Sequence, residues 1–311
     1  MSLRAHGLIW CATFVVLDAA QAVLFGSLLQ RMDSLLIGLL VFGLSSAGCL
    51  AAVLWQRPGE IRAALAEPAT LAWLNISTGG GWLVYLGALQ LIEPAVAFTI
   101  FSGVIPLTVV AARAWMRSTD GGALHAWERA GLSILSLGLI ALAVATLAGL
   151  SGFVRGGIGI AALGLVLSVL SGIGMSGMLL ASYRLSARGV GPLAVFSVRF
   201  PLYLVLAGGG YLLGFDDKGP VAPADLLAAV AVGLVVLAFP IYAVQKAVSL
   251  TSALTLSAAT ALIPVVVLAM QLVEGRVGYS RATAVGLAIY TAGALIAATG
   301  RAHAVSRASL P

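Results

Sequence analysis

Long apolar runs dominate this sequence and limit what it can fold into. A helix needs about 20 mainly apolar residues to cross the hydrocarbon core of a bilayer. Ten stretches of the chain meet this requirement, and short turns rich in Arg, Gly, Pro or Asp separate most of them. The stretches cover 6–29, 34–54, 70–91, 94–115, 130–149, 156–186, 192–213, 224–249, 253–272 and 282–299. We therefore predict an all-α integral membrane protein with ten transmembrane helices.

Composition favours the same class. The chain is 61% hydrophobic and 9% charged, whereas a soluble domain carries about 25% charged residues. Its 17 Lys and Arg residues exceed the 11 Asp and Glu residues, but they are scattered singly and form no basic stripe, so we predict no nucleic-acid partner. Cys11 and Cys49 both lie inside apolar runs, which argues against a disulfide framework or a metal site.

Internal similarity divides the chain into two halves. At an offset of 158 residues, Pro106 in one apolar run aligns with Pro264 in another. At a slightly different offset, Gly131 and Gly138 align with glycines of the last run. We predict two five-helix repeats, 1–150 and 151–301, with a tail at 302–311. Because five is odd, the second repeat enters the membrane from the opposite side, as in many secondary transporters.

Loop charge predicts the orientation. With a cytoplasmic N-terminus, the inner segments hold ten arginines and the outer loops hold five basic residues, leaving aside Arg199 and Lys246 inside helices. Cytoplasmic loops of membrane proteins carry the excess of Lys and Arg. Both termini are therefore predicted to be cytoplasmic, and so is the tail.

The second repeat ends in a pattern of proline, acid and glycine residues. The pattern consists of Ile263-Pro264, Glu274-Gly275-Arg276, Gly286 and Gly293. It resembles the drug/metabolite transporter superfamily, whose ten-helix members are built from two EamA-type repeats. The first repeat departs from it, because Met116 stands where Glu274 would correspond.

Within that superfamily the chain is most similar to the YddG-type exporters in its overall pattern and in the aromatic content of the first repeat. The resemblance implies a secondary transporter of the bacterial inner membrane that exports amino acids, including aromatic ones, by alternating access. Export of another metabolite or of a toxic compound is the alternative, and a channel or a membrane-embedded enzyme is a further one. Two repeats in one chain can form a complete pathway, so a monomer would suffice.

Polar and aromatic residues at helical spacing predict the transport pathway. Helix 1, helix 3 and helix 8 each carry such a stripe, and two phenylalanines of helix 4 can add to the wall. The candidate substrate-binding residues are Asp18, Gln21, Asn75, Thr78, Trp82, Tyr85, Phe98, Phe101, Tyr242 and Lys246. For any single aromatic residue, packing or anchoring at the membrane interface is the simpler interpretation.

Three ionisable residues inside apolar runs each have two interpretations. Asp18 can bind a substrate ammonium group or a coupling proton, or it can be a hydrogen-bonded acid that fixes helix packing. Lys246 and Arg199 can contact a substrate carboxylate, or their charged ends can extend to the membrane interface.

Two prolines lie inside apolar runs at equivalent points of the two halves. Pro106 and Pro264 each remove a backbone hydrogen bond at equivalent points of the repeats, and we expect them to be hinges. The G-x-G-x-x-G pattern at 172–177 lies inside an apolar run with no strand before it, so it does not predict a dinucleotide site. No catalytic motif is present in the sequence, and we predict neither an enzyme nor a cofactor.

Overall fold

A computed structural model describes residues 3–115, 125–251 and 253–308. Those residues are almost entirely helical. The helices are α1 (Leu3–Leu28), α2 (Ser34–Gln56), α3 (Pro58–Leu65), α4 (Pro68–Leu91), α5 (Pro94–Trp115), α6 (Ala126–Leu147), α7 (Ile158–Ala187), α8 (Pro192–Val198), α9 (Pro201–Leu212), α10 (Pro223–Leu250), α11 (Ala253–Ala261), α12 (Ile263–Glu274) and α13 (Arg281–Ala308).

Seven helical spans of the described residues are long and apolar enough to cross a membrane. This finding confirms a multi-pass, all-α membrane protein. The spans are His6–Leu28, Ser34–Gln56, Pro94–Ala112, Ala126–Leu147, Ile158–Ala187, Pro192–Leu212 and Arg281–Gly300. The three other predicted segments also lie on helices, namely α4, α10 and α11–α12. Pro223–Leu237 and Ala258–Glu274 are apolar but shorter, and α4 contains Asn75 and several glycines and hydroxyl residues.

Proline and short polar residues set many of the helix ends. Proline occupies the first turn of α3, α4, α8, α9, α10 and α12, where its missing N–H would have no partner in any case. Asp33 caps α2 by accepting hydrogen bonds from the N–H groups of Leu35 and Leu36. Gly275 ends α12 with a φ of +79°, a conformation that favours glycine.

Two apolar spans of the second half are interrupted. The span Pro192–Leu212 is divided into α8 and α9 at Arg199 and Phe200, just before Pro201. Leu262 separates α11 from α12, one residue before the Ile263-Pro264 pair. By contrast α5 continues through Pro106. Pro264 therefore lies in the first turn of α12, just after an interruption, whereas Pro106 lies inside a continuous helix. The hinge roles of both residues stay predictions.

Helix α6 packs along α13, α4 along α7, and α1 along α10. Glycine allows the closest of these approaches. A β-carbon on Gly131 of α6 would collide with the backbone of Ala297, and one on Gly293 of α13 would collide with the backbone of Leu135. Gly138 of α6 and Gly286 of α13 lie in the same contact between the two helices. All four glycines that align between the halves of the sequence therefore lie where α6 and α13 touch.

Candidate functional site

A cavity of about 400 Å³ lies among α1, α4, α5, α6, α7 and α11–α13. Its wall is mainly apolar. The lining residues are Phe14, Asp18, Gln21, Trp82, Tyr85, Phe98, Phe101, Ser102, Ile105, Pro106, Leu132, Leu135, Met175, Thr260, Ala261, Ile263, Tyr290, Ala294, Ala297 and Ala298. Six of the predicted binding residues and one predicted hinge, Pro106, therefore share one wall. We call this space the large cavity.

Aromatic rings form a continuous side of the large cavity. The ring centroids of Trp82 and Tyr85 are 5.8 Å apart, those of Tyr85 and Phe101 are 4.8 Å apart, and those of Phe98 and Phe101 are 5.7 Å apart. These separations fall within the range of favourable aromatic contacts. The aromatic residues predicted on these two membrane segments, now α4 and α5, therefore meet as one packed surface.

A second space of about 130 Å³ adjoins the first, and we call it the small cavity. Phe14, Asp18, Gln21 and Trp82 line both cavities, so these four residues form the wall between them. The small cavity is also lined by Phe42, Phe196, Arg199, Leu237 and Pro240. It therefore lies where α1, α2, α4 and α10 meet the interruption between α8 and α9.

Asp18 is the acidic residue of both walls. Within the part of the chain that the structure describes, its carboxylate makes no hydrogen bond and no ion pair. Two neighbouring donors are also unsatisfied by described residues, the Trp82 indole N–H and the Tyr85 hydroxyl, and both are buried. Asp18 and Trp82 thus line both cavities, and Tyr85 belongs to the wall of the large cavity.

Arg199 adds a positive charge to the small cavity. Its guanidinium carbon lies 4.3 Å from the centre of the Phe196 ring and 4.8 Å from the centre of the Phe200 ring. Its Nη1 atom approaches the Met178 sulfur at 3.6 Å, and its Nε has no partner among the described residues. Of the two positions that the sequence allowed for Arg199, the structure shows the one at a cavity, beside the interruption between α8 and α9.

Asn75 supports that interruption instead of lining either cavity. Its side-chain amide donates to the carbonyl oxygens of Leu71 (3.0 Å) and Val198 (2.9 Å), and its carbonyl accepts from the Leu202 N–H (3.3 Å). It therefore satisfies backbone groups on both sides of the break. Thr78 is fully buried and lines neither cavity.

The remaining predicted residues are distributed differently. Pro264 does not line the large cavity, although its neighbour Ile263 does. Tyr242 and Lys246 belong to α10, but their side chains lie outside the described part of the chain. Their predicted roles stay predictions.

Sequence reasoning missed Tyr290 and Ser102. Their hydroxyl oxygens are 3.2 Å apart and both residues line the large cavity. A signal for Tyr290 existed, since it lies four residues after Gly286 and three before Gly293, on the helix face that those glycines bring against α6. Ser102 follows Phe98 by four residues on α5, so the aromatic stripe of that helix could have been extended to it.

The loops at one end of the bundle are joined by a buried acid. Glu93, between α4 and α5, is fully buried and accepts hydrogen bonds from the Gly152 N–H (2.7 Å), the Thr283 hydroxyl (2.8 Å) and the Gln271 amide. Burial raises the pKa of Glu93, and these three hydrogen bonds act in the opposite direction. The α4–α5 turn is thereby tied to the α6–α7 loop, to α12 and to α13.

A second polar cluster lies at the same end. Lys218 Nζ contacts both carboxylate oxygens of Asp216 (2.6 Å), the Gln90 side-chain oxygen (2.9 Å) and the Met32 carbonyl (3.3 Å). Asp216 also accepts from the backbone N–H and hydroxyl of Ser34 (2.8 and 2.6 Å). Because α1 ends and α2 begins here, we call this the α1–α2 end.

Comparison with known proteins defines the fold only. No protein-family model matches the sequence, and no curated protein matches it. Eight chains of solved structures match the fold. One of them, described only as a crystal structure of a protein, aligns over 98% of this chain and 99% of its own, with a TM-score of 0.62 and 20% sequence identity.

Proposed function

We propose that this protein is a secondary transporter of small metabolites, with amino acids, including aromatic ones, as its substrates. In this proposal it belongs to the drug/metabolite transporter superfamily, spans the bacterial inner membrane ten times and has both termini in the cytoplasm. It exports its substrate by alternating access.

The observation that carries the proposal is the large cavity and its unpaired carboxylate. A volume of about 400 Å³ falls within the range of about 300–1,000 Å³ for small-molecule sites. Its wall combines packed aromatic rings with Asp18, a combination that suits a molecule with an apolar side chain and an ammonium group. An intramembrane acid facing a cavity is typical of substrate or ion pathways.

Helix packing supports the arrangement as two inverted repeats. When the membrane helices of the halves are matched in order, α4 corresponds to α10 and α7 corresponds to α1. The observed pair of α4 and α7 then maps onto the observed pair of α10 and α1. The contact of α6 with α13 maps onto itself, as contacts along a two-fold axis must. Five spans per half would give that axis the in-plane direction of inverted repeats.

The two ends of the bundle support an alternating pathway. Polar bonds join the loops at the α1–α2 end, through Glu93 and Asp216. The large cavity instead extends toward the opposite end, because its lining includes Ala297 and Ala298, late in α13. A carrier that exposes its site to one side at a time requires such an asymmetry. Pro106 and Pro264 are the proposed hinges, and Pro264 lies just after the interruption at Leu262.

Counterflow in liposomes tests the proposal. The purified protein would be reconstituted in liposomes loaded with unlabelled amino acids, and uptake of labelled phenylalanine, threonine and methionine would be measured with and without a pH gradient. We expect saturable uptake, and its response to the gradient identifies proton coupling. Uptake that rises linearly with concentration would indicate a channel, and no uptake above empty liposomes would overturn the amino-acid proposal and direct the same assay to other metabolites.

A further inference from the structure

The small cavity contains two opposite charges that are not paired with each other. Asp18 and Arg199 both line this space of about 130 Å³. Among the described residues, neither side chain takes part in an ion pair. A charge removed from water without a partner is costly in free energy. A ligand that brings both complementary charges would offset the cost at both positions.

The surroundings of Arg199 hold its guanidinium in one place. Pro201 has no N–H to continue the helix, and the Asn75 amide satisfies the backbone on both sides of the break. The rings of Phe196 and Phe200 lie against the guanidinium. A planar guanidinium held in this way is suited to bind a carboxylate through two parallel hydrogen bonds.

We propose that the small cavity binds the charged end of a zwitterionic α-amino acid, with the substrate ammonium at Asp18 and the substrate carboxylate at Arg199. The substrate side chain then lies in the large cavity, beside Tyr85 and Phe101. This inference rests on the proposed function and deepens it, because it restricts the substrates to molecules that carry both free charged groups.

Recognition of two charges predicts a particular selectivity. An amine without a carboxylate leaves Arg199 unpaired, and a carboxylic acid without an ammonium leaves Asp18 unpaired. A site whose buried polar groups lose their partner rejects such an analogue strongly. The three probes are L-phenylalanine, L-phenylalaninamide, which has no free carboxylate, and 3-phenylpropionate, which has no ammonium.

Binding calorimetry on the purified full-length protein tests the inference. We expect L-phenylalanine to bind at least about tenfold more tightly than either analogue, the equivalent of one lost charged contact. Arg199→Gln should abolish the preference for phenylalanine over its amide. Asp18→Asn should abolish the preference over 3-phenylpropionate. Arg184→Gln, which removes an exposed arginine of α7, is the control and should leave both preferences unchanged.

Arg199→Lys keeps the experiment interpretable if Arg199→Gln does not fold, since it keeps the charge without the planar pair of donors. It should weaken phenylalanine binding and retain the preference over the amide. Equal binding of phenylalanine and its amide by the unaltered protein would overturn the inference, and so would an Arg199→Gln protein that keeps the preference. If no probe binds to a cooperatively folded protein, the inference fails, and liposome uptake by the same preparation decides separately whether transport stands.

Discussion

Asp18 is a carboxylate in the middle of α1, where an ionised group costs about 3 kcal/mol on insertion scales. It lines both cavities and has no hydrogen-bond or ion-pair partner among the described residues, which agrees with the proposed role in substrate binding. We predict that Asp18→Asn lowers amino-acid transport by roughly tenfold, since a neutral amide loses a charged contact, while the unfolding temperature is unchanged or higher. Counterflow and thermal unfolding of the same preparation measure both quantities.

Asp217→Asn is the matched control, because Asp217 contacts the Gly219 N–H in an exposed loop. It should transport at the normal rate. Normal transport by the Asp18→Asn protein would remove Asp18 from the mechanism.

Asn75 affects stability through the backbone. Leucine has a similar size but satisfies neither the Val198 carbonyl nor the Leu202 N–H. We predict that Asn75→Leu lowers the free energy of unfolding by about 1–3 kcal/mol, the usual cost of leaving buried polar groups unpaired. Denaturant unfolding in detergent measures this change. Ser136→Ala, which removes a hydroxyl bonded only within α6 to the Leu132 carbonyl, should cost clearly less, and equal losses would contradict the bridging role.

Asp216 gives the loop cluster a pH dependence. Burial alone would raise its pKa, but hydrogen bonds from Lys218 and Ser34 outweigh that effect and hold the pKa of Asp216 below its ordinary value. The folded protein therefore keeps this carboxylate ionised at a pH where the unfolded chain is already protonated. Its stabilising contribution is present above the ordinary pKa, about 4, and is lost as the pH falls through the lowered pKa.

We predict that the unfolding temperature falls more steeply below about pH 4 in the unaltered protein than in Asp216→Asn. Thermal unfolding scans between pH 7 and pH 3 measure the two slopes. Asp217→Asn should behave as the unaltered protein does. Identical slopes in all three proteins would show that the Asp216 cluster does not contribute to acid sensitivity.

The candidate site could be predicted in part from residue spacing. Asp18, Gln21, Trp82 and Tyr85 were found because their stripes face the same cavity. Asn75 was grouped with Tyr85, yet ten residues of an α-helix rotate the side-chain direction by about 80° away from a full number of turns, so the two ends of the stripe face different neighbours. Spacing left Arg199 with two interpretations, because its position depends on a tertiary contact between Asn75 and the broken helix.

At the scale of elements, the contact of α6 with α13 depends on glycine. We predict that Gly131→Ala lowers the free energy of unfolding by about 1–3 kcal/mol, the usual cost of overpacking, because its β-carbon would meet the backbone of Ala297. Gly48→Ala is the control. It adds a β-carbon to α2 with no atom within 4 Å and should be neutral or stabilising by up to about 1 kcal/mol. Equal effects would refute the close approach.

The helix positions were predictable because apolar length is a strong signal, and all ten predicted segments lie on helices. The interruptions within helices were harder to predict from the sequence. Pro106 and Pro264 were predicted alike as hinges, yet the helix is divided just before Pro264 and continues through Pro106. A proline inside a membrane helix removes one hydrogen bond, but whether the helix then divides depends on how neighbouring groups satisfy the freed carbonyl.

At the scale of the whole molecule, orientation can be tested through the loops. The proposed topology of ten spans with cytoplasmic termini would place residues near 57–67 and 188–191 inside the cell and those near 148–157 and 213–222 outside. We expect a cysteine introduced at Gly59 to be protected from an impermeant thiol reagent in whole cells, and a cysteine at Gly157 to react. The background for labelling is the protein without Cys11 and Cys49. Labelling of Gly59 and protection of Gly157 would reverse the proposed orientation.

The interruptions at Arg199–Phe200 and at Leu262 both fall in the second half of the chain, whereas α2 and α5, their counterparts in the proposed repeats, are continuous helices. A helix bends most easily where its backbone hydrogen bonds are interrupted or where a proline removes a donor. The second half offers two such positions at its helix breaks, and the first half offers Pro106 inside α5. In the proposed transport cycle, bending is therefore expected at more points in the second half than in the first.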